Sequence, residues 1–432
     1  MMQSSAPAFI DAIAALALLG VIAVGLGFLV LPGLYLLEWA HGKLRSPPAN
    51  GVPTGADHPE VLVQMPVYNE PPGVVEGLLQ SVAALDWPKD RLHLQLLDDS
   101  SAAHRVAGQM LVGRLRDRGF RADHLVRNHR DGYKAGALAA GLQESDAPFV
   151  AILDADFRPP ANWFSTAIPA LMAEPSAGFI QSRCEFSNAE TNWLTRAQSL
   201  LFDSHFVMEQ GVRARAGMLF QFNGTGGIWR RRAIEEAGGW NADSLCEDLD
   251  LTIRAALAGW KGIFSLHPAV TGLVPDQMRH WRVQQRRWAT GFAQIARKLT
   301  VPIWWSQWSL AEKFQAGFLI FYQSALPIIA IAAVTLLIDT ILHAGIPPFI
   351  APLILAILIL FLPVVVGMTL PPYLELRRGG VLRYLSAVCA LPPMILYLSL
   401  TNARPIVAAF FGRREVFKRT PKPVPEFPLP RH

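Results

Sequence analysis

The chain of 432 residues is 51% hydrophobic and only 17% charged, and it carries a formal net charge of +5. This composition is unusual for a soluble protein and predicts an integral membrane protein. The small basic excess lies beside apolar segments, so it favours contact with anionic lipid and argues against a partner nucleic acid. Three widely spaced cysteines without a C-x-x-C pair argue against a disulfide framework and a zinc site.

Long uncharged segments lie near both ends of the chain. Residues 12–37 form a run of 26 residues without a charge, which is enough to cross a hydrocarbon core about 30 Å thick. A signal peptide is the alternative for this run, although no basic residue precedes it. Further uncharged runs are 314–338, 340–374 and 384–403. Basic residues follow the first run, at Lys43 and Arg45, and none precedes it, which places the N-terminus outside and the polar middle in the cytoplasm.

The last uncharged run has basic residues on both sides. Arg377 and Arg378 precede it and a basic tail from Arg413 follows it, so both flanks favour the cytoplasmic side. We therefore interpret 381–411 as a re-entrant or tightly broken pair of helices, interrupted near Pro392-Pro393 and near Asn402-Ala403-Arg404-Pro405. A single ordinary span is the alternative.

The apolar runs divide the chain into four predicted parts. These are an N-terminal transmembrane helix in 1–45, a cytoplasmic domain with interfacial helices in 46–300, transmembrane or re-entrant helices in 301–412, and a proline-rich cytoplasmic tail in 413–432. In the second part, β-rich runs alternate with helical patterns, at 61–65, 74–84, 92–97, 102–118 and 149–153. The alternation predicts an α/β domain with parallel strands and covering helices, which binds ligands at the carboxyl ends of its strands.

Polar residues follow each of the three predicted strands. They are Tyr68 and Glu70 after the first strand, Asp98 and Asp99 after the second, and Asp154 and Asp156 after the third. Carboxylates two residues apart at a strand end can ligate Mg²⁺ or Mn²⁺, so Asp154 and Asp156 are the predicted metal ligands. The chain has no glycine-rich dinucleotide or P-loop motif, so something else must neutralise the charge of a bound diphosphate.

Other residues near these strand ends have two interpretations each. Tyr68 would stack on a nucleobase or would be a surface turn residue. One of Asp98 and Asp99 would cap the following helix, and the other would face a base or ribose. Lys134 lies at a glycine-flanked helix start, where it would bind phosphate together with backbone N–H groups, or it would be an exposed lysine.

An ordered set of motifs carries a resemblance to a known family. The set comprises Asp98-Asp99, Asp154-Ala155-Asp156, Glu247-Asp248 and Gln284-x-x-Arg287-Trp288, with supporting runs at 132–138 and 222–230. It resembles the processive family 2 glycosyltransferases of the cellulose synthase superfamily, above all the cellulose synthase-like glucomannan and xyloglucan-backbone synthases. The resemblance covers about residues 60–300. It implies an α/β fold with a GT-A-like mixed sheet and covering helices in the cytoplasmic domain, beside an α-helical transmembrane region.

The resemblance also implies the catalytic roles. Asp248, beside Glu247, would be the general base that deprotonates an acceptor hydroxyl. A single inverting displacement on an α-linked sugar nucleotide would then give a β-glycosidic bond. The alternative for Asp248 is a carboxylate that stabilises the N-terminus of the following helix. Cys246 stands where the family's T-E-D motif has threonine.

Donor and acceptor contacts follow in the same way. Arg287 and Gln284 would bind the donor diphosphate, as would Lys134, while Tyr68, Glu70, Asp98, Asp99 and Asp154 complete the implied donor site. Trp288 would offer its face to the terminal sugar of the acceptor, or would be an anchor at the membrane interface. The implied acceptor loop contains Phe222, Asn223 and Gly224.

The tail contains a further similarity. Residues 417–422 resemble the gating loop of the family, with Arg419 where valine is usual. Thr420 and Lys422 would then touch the diphosphate. A basic juxtamembrane tail is the alternative interpretation.

The implied protein is a multi-pass enzyme of the bacterial inner membrane with a cytoplasmic catalytic domain. It would use a nucleotide-sugar of the UDP-glucose or GDP-mannose type and Mg²⁺ or Mn²⁺ to elongate a β-linked glucan or glucomannan-like polysaccharide, with translocation across the bilayer. Its partners would be the donor, the growing glycan and the lipid bilayer, but no nucleic acid, and its oligomeric state stays open. The alternatives are a single transfer to a lipid acceptor and an inactive membrane subunit or transporter.

Overall fold

The structure is a computed structural model that describes residues 5–41, 58–342, 350–413 and 419–420. These described residues belong to two compact units. The helical unit takes its residues from Met1–Leu44, Arg196–Val212 and Trp281–Val416. The sheet unit takes its residues from Arg45–Thr195, Arg213–His280 and Phe417–His432.

The strands are β1 (Val61–Val67), β2 (Leu92–Asp98), β3 (Arg121–Val126), β4 (Phe149–Ile152), β5 (Ala177–Phe186), β6 (Gly227–Arg230) and β7 (Lys261–Gly272). They form one seven-stranded sheet in the order β3-β2-β1-β4-β6-β5-β7. Every neighbouring pair is parallel except those of β6, which runs antiparallel to both β4 and β5. The predicted mixed α/β sheet is therefore confirmed.

The helices are α1 (Ser5–Ala40), α2 (Pro72–Ala83), α3 (Ala102–Asp117), α4 (Tyr133–Gln143), α5 (Trp163–Ala173), α6 (Trp193–Asp203), α7 (Arg213–Arg215), α8 (Arg231–Glu236), α9 (Glu247–Leu257), α10 (Met278–Trp304), α11 (Leu310–Phe321), α12 (Ala325–Leu342), α13 (Ala351–Glu375) and α14 (Val381–Phe410). A π-helical segment, Ser204–Val212, joins α6 to α7. Two 3₁₀ turns, Lys89–Arg91 and Tyr322–Ser324, precede β2 and α12.

The first half of the sheet unit follows the hydrophobic pattern closely. β1, α2, β2, α3 and β4 each begin and end within two residues of their predicted bounds. Every residue of β2 and β4 is buried, because helices cover both faces of a parallel sheet. The sequence pattern missed β3 and the three later strands.

Four helical segments of the described residues are long and apolar enough to cross a membrane. They are Phe9–Ala40, Leu310–Leu342, Ala351–Glu375 and Val381–Phe410. In the helical unit, α1 packs along α12 and α13, with a buried cluster that includes Ala14, Ala332 and Ile350. The aromatic pair Phe28 and Phe318 marks the other end of α1, where their ring centroids are 5.2 Å apart.

The predicted interruption in 381–411 is wrong, because α14 runs unbroken through its internal prolines. Neighbouring helices can satisfy the carbonyls that prolines leave without a donor. Both ends of α14 nevertheless contact the same end of the bundle. Tyr384 shares a hydrogen bond of 2.8 Å with Thr369 of α13, and the Phe410 ring stacks on Phe321 of α11 at 6.1 Å. The predicted re-entrant pair of helices is likewise replaced by this one continuous helix.

Candidate active site

The carboxyl ends of three parallel strands meet at one edge of the sheet. Val67 and Asp98 are paired at the ends of β1 and β2. The Asp99 amide donates to the Val67 carbonyl at 3.1 Å, and the Leu153 amide donates to the Gln64 carbonyl at 3.1 Å. This edge therefore brings together the loops that contain Tyr68, the two aspartates after β2 and the aspartates after β4.

Lys134 lies at the centre of a cluster of oxygen atoms. Its ammonium is 2.6 Å from Asp154 Oδ1, donates to the Gly224 carbonyl at 2.8 Å and lies 3.9 Å from Glu247 Oε1. Gly132 precedes α4 with φ of 71°, and this turn orients the first turn of α4, which contains Lys134. Burial lowers the pKa of the Lys134 ammonium, but the surrounding carboxylates, Asp154 first among them, raise it by more. Lys134 thus stays charged and holds three separate segments together.

Asp248 lies in the first turn of α9, next to this cluster. Its Oδ1 accepts a hydrogen bond of 2.8 Å from the Leu249 amide, so part of its role is to stabilise the helix N-terminus. Burial and the neighbouring Glu247 carboxylate raise the pKa of Asp248 to about 7, against the opposing effect of Lys134. A carboxylate with this pKa can accept a proton near neutral pH, as a general base requires.

The loop before β6 is bound tightly to the base of this cluster. The Thr252 hydroxyl accepts from the Phe222 amide at 3.0 Å and donates to the Asp248 carbonyl at 2.7 Å. The Asn223 amide donates to Gln181 Oε1 at 2.9 Å. These bonds fix Gly224 beside the Asp248 carboxylate.

Phe222 does not face the site. Its side chain is fully buried, in edge-to-face contact with Phe179 and Trp229 at 5.9 and 5.4 Å. An acceptor sugar could not reach it, so the predicted acceptor contact of Phe222 is replaced by a role in the core. The acceptor contacts of Asn223 and Gly224 stay predictions.

Gly224→Ala is expected to reduce activity strongly. A Cβ at this position, where φ is 75°, would lie 2.9 Å from Asp248 Oδ2, and a displacement of about 1 Å at a reacting group can cost about 10²-fold in rate. Gly217→Ala is the matched control, because Gly217 has φ of 68° and open space around it. The control should lose only roughly 1 kcal/mol of stability. Steady-state rates and melting curves of both variants check this prediction, and equal rates would contradict it.

Asp98 and Asp99 are engaged with side chains from β3 and its following loop. The Asp98 side chain is only 3% exposed, accepts from the Ser100 amide at 2.9 Å and lies 2.8 Å from His124 Nε2. Burial raises the pKa of Asp98, but its hydrogen bonds with His124 and Ser100 lower it by more. Arg127 donates two hydrogen bonds to Asp99, from Nε to Oδ1 at 3.0 Å and from Nη2 to Oδ2 at 2.5 Å.

Neither aspartate caps α3 in the predicted way, because Ser101 is the N-cap residue and makes no side-chain cap bond. Asp98 supports the loop from within and has no open face for a ligand. Asp99, which is paired with Arg127, is the more exposed of the two aspartates.

The Arg130 guanidinium lies over the ring of Tyr68, the residue predicted to stack on a nucleobase. The Arg130 guanidinium is 3.4 Å from the Tyr68 ring centroid and 5.0 Å from that of Tyr133. Such a contact is attractive, and it places a second arginine of the same loop beside the predicted base site. The structure thus adds Arg130 to the residues that a nucleotide at Tyr68 would meet.

The surroundings of Asp154 suit a hard cation that shares its ligands with a substrate, and Asp156 stays a predicted ligand. The Asp154 side chain is 36% exposed, so an oxygen ligand is accessible there. Among the described residues no group of three or more His, Cys, Asp or Glu side chains could hold a metal ion. Mg²⁺ commonly uses only one or two carboxylates together with substrate phosphates and water, so two aspartates suffice.

Part of the tail contacts the sheet unit. Arg419 Nη1 lies 2.6 Å from Glu70 Oε2, and Thr420 is buried. Lys422, the other predicted donor contact of the tail, lies outside the described residues. Glu70 therefore binds a tail residue here, and its predicted donor contact stays a prediction.

Gln284, Arg287 and Trp288 lie on α10, in the part of that helix that belongs to the helical unit. Gln284 is buried, and the Trp288 ring meets Phe202 edge-to-face at 6.1 Å. Helical spacing puts Gln284 and Trp288 on one face of α10. Their predicted contacts with donor and acceptor stay predictions.

Comparison with known proteins places this architecture in a family. The family model described as "Glycosyl transferase family group 2" matches residues 149–399, which is more than half of the chain. The chain belongs to this glycosyltransferase family. The match contains β4, Asp154, Asp248 and α10.

Curated relatives and a solved structure agree with the assignment. Glucomannan 4-beta-mannosyltransferase 1 of Cyamopsis tetragonoloba is 40% identical over 250 residues, 57% of this chain and 47% of that protein. Glucomannan 4-beta-mannosyltransferase 9 of Arabidopsis thaliana is 38% identical over 250 residues, with the same coverage. The chain thus spans about half the length of the curated relatives it matches. The mannosyltransferase PcManGT of Pyrobaculum calidifontis, solved with GDP-Man and Mn²⁺, shares the fold with a TM-score of 0.58, 20% identity, and coverage of 93% of this chain and 97% of that one.

Several residues that build the glycosyltransferase site escaped the sequence motifs. They are His124, Arg127 and Arg130 around the loop after β2, and Gln181 and Thr252 around the loop before β6. The basic run after β3 was available as a signal, because β3 adjoins β2 and ends at the same edge. No sequence signal marked Gln181 or Thr252, whose partners are distant in the chain.

Proposed function

We propose that this chain is an inverting membrane glycosyltransferase that transfers a sugar from a nucleotide-sugar to a growing β-linked polysaccharide. The observation that carries the proposal is the Asp248 carboxylate, whose raised pKa and position beside Lys134 suit proton abstraction at a site rich in phosphate-binding groups. Mannose from GDP-mannose is the favoured donor, because the curated relatives are named as glucomannan mannosyltransferases.

In the proposed reaction an acceptor hydroxyl attacks the anomeric carbon of the donor. Asp248 takes the hydroxyl proton as the new C–O bond forms, and the bond from the anomeric carbon to the diphosphate oxygen breaks. Attack from the opposite face inverts an α-linked donor to a β-glycoside. The partly buried ammonium of Lys134 would stabilise the negative charge that develops on the departing nucleoside diphosphate.

Asp154 and Asp156 would hold Mg²⁺ or Mn²⁺. Bound there, the ion would supply further positive charge to the diphosphate. Lys134 already contacts Asp154, so the chain's own cation orients that carboxylate. Tyr68 with Arg130 would bind the nucleobase, and Asp99 with Arg127 would support the loop beside it.

The proposed location is a membrane with the sheet unit on the cytoplasmic side. The four long apolar helical segments and the basic residues that flank them support this orientation. Nucleotide-sugars are then available to the site, and translocation of the product along the helices is part of the proposal.

A panel of labelled donors tests the proposed function. Membranes with the full chain are incubated with GDP-mannose or UDP-glucose and Mn²⁺, with Asp248→Asn as the blank, and the products are sized and analysed for linkage. We expect a β-linked polymer that contains mannose. Products with a single sugar on a lipid would show that the acceptor is a lipid and not a polysaccharide. Products equal to those of the blank would overturn the enzyme assignment.

A further inference from the structure

A groove of about 710 Å³ lies between α12 and α14 in the helical unit. Its walls include Pro327, Ile331 and Val334 of α12 and Val407 and Phe411 at the end of α14. Ile331 is 47% exposed and Val407 is 42% exposed, so the groove opens to the surroundings of the helices. An open apolar groove of this size, within the roughly 300–1,000 Å³ range of ligand sites, indicates an apolar occupant.

Two arginines line the same groove. Arg404 and Arg413 project from α14 and the residues just after it. Within the described ranges, neither guanidinium has a carboxylate partner. Arg297 adds a third cation at this end, since a Cβ on Gly412 would lie 3.1 Å from its Cζ atom. A groove that is apolar along its length and cationic at one end fits a ligand with an acyl chain and an anionic head.

The position of the cations fits the cytoplasmic surface of a bilayer. Phe410 stacks on Phe321 at 6.1 Å, so α14 ends where α12 begins. The chain enters α11 and α12 from its polar middle, which the basic flanks of the apolar runs place in the cytoplasm. The cytoplasmic leaflet is rich in anionic lipids, and basic pockets between membrane helices on that side bind their head groups.

The lining argues against a glycan in this groove. Thr335 is the one uncharged polar side chain among the lining residues, and its hydroxyl donates to the Ile331 carbonyl at 2.8 Å. Sugars are held by several uncharged hydrogen-bonding side chains and by stacked aromatic faces, whereas this lining offers one hydroxyl and one aromatic ring, that of Phe411. The groove is therefore separate in chemistry from the proposed transfer site.

We propose that this groove binds an anionic phospholipid of the cytoplasmic leaflet. The lipid phosphate lies between Arg404 and Arg413, and an acyl chain lies along Ile331, Val334 and Val407. The assignment depends on the helices crossing a bilayer and is independent of the glycosyl transfer chemistry.

Retention of lipid by the purified full chain tests the assignment. The protein is exchanged into detergent with equal amounts of phosphatidylglycerol and phosphatidylcholine, then purified again, and bound lipid is quantified by mass spectrometry. We expect an excess of phosphatidylglycerol. Arg404→Gln with Arg413→Gln should reduce that preference by about 25-fold, at roughly fivefold for each arginine.

Two further variants make the test specific. Arg377→Gln removes an exposed arginine that follows α13 outside the groove, and it should keep the preference. Val407→Trp fills the groove while it keeps both arginines, and it should lower the retained phosphatidylglycerol. Melting temperatures show that each variant is folded. The assignment is overturned if the double variant keeps the preference, if Arg377→Gln loses it equally, or if Val407→Trp retains as much lipid as the original chain.

Discussion

Asp248→Asn is expected to lower kcat by about 10²–10⁴-fold, because the amide cannot accept the proton of the attacking hydroxyl. The substitution keeps the size of the side chain and its acceptor oxygen for the Leu249 amide, so α9 should stay intact. Binding of the nucleotide-sugar should change little, since the base acts on the acceptor. Single-turnover rates and donor binding, measured on the same preparation, check both parts.

Asp243→Asn is the control for this experiment, because Asp243 is an exposed carboxylate on the segment before α9. It should retain the original rate. If Asp248→Asn keeps the original kcat, Asp248 has only the alternative role at the helix N-terminus. A loss of melting temperature without a loss of rate would support the same alternative.

Lys134→Met is expected to reduce kcat/KM by about 10²–10³-fold, since it removes a partly buried cation beside the leaving diphosphate. It should also change the pH dependence. The general base must be ionised, so activity of the original chain should fall as the pH drops below about 7, the value to which the pKa of Asp248 is raised. Lys134 lowers the pKa of Asp248, and its loss should move this acid limb to higher pH.

Profiles of kcat/KM against pH for both proteins measure the effect on the free enzyme. Lys261→Met is the control, because Lys261 is an exposed lysine at the start of β7. It should leave the rate and the acid limb in place. An unchanged acid limb in Lys134→Met would show that Lys134 does not influence the ionisation of Asp248.

The strand-end aspartates could be predicted because buried parallel strands leave continuous apolar runs in the sequence. β1, β2 and β4 show such runs, and the residues after them fall at one edge of the sheet. The later strands could not be predicted in this way. β7 is only partly buried along most of its length, and β6 has only four residues.

The roles of individual side chains depended on partners far along the chain. Phe222 looked like a loop residue beside glycines, but contacts with Phe179 and Trp229 put it in the core. Asp98 is buried because His124 arrives from β3. Such pairings are set by the packing of the sheet, which the local sequence pattern does not contain.

The helix at 381–411 shows the same limit in the helical unit. Prolines at 392 and 393 predict a break because proline removes a backbone donor and disfavours a helical residue before it. The structure keeps one helix, Val381–Phe410. Packing against neighbouring helices outweighs the local preference, as it does for other prolines in membrane helices.

The proposed transfer site is best tested by an experimental structure of the full chain with GDP, or another nucleoside diphosphate, and Mn²⁺. We expect the diphosphate at the edge formed by Asp154, Lys134 and Asp248, with the Asp248 carboxylate facing the space where the anomeric carbon would lie. A diphosphate bound elsewhere, with the Asp248 oxygens turned away from it, would overturn the role of Asp248 as the base.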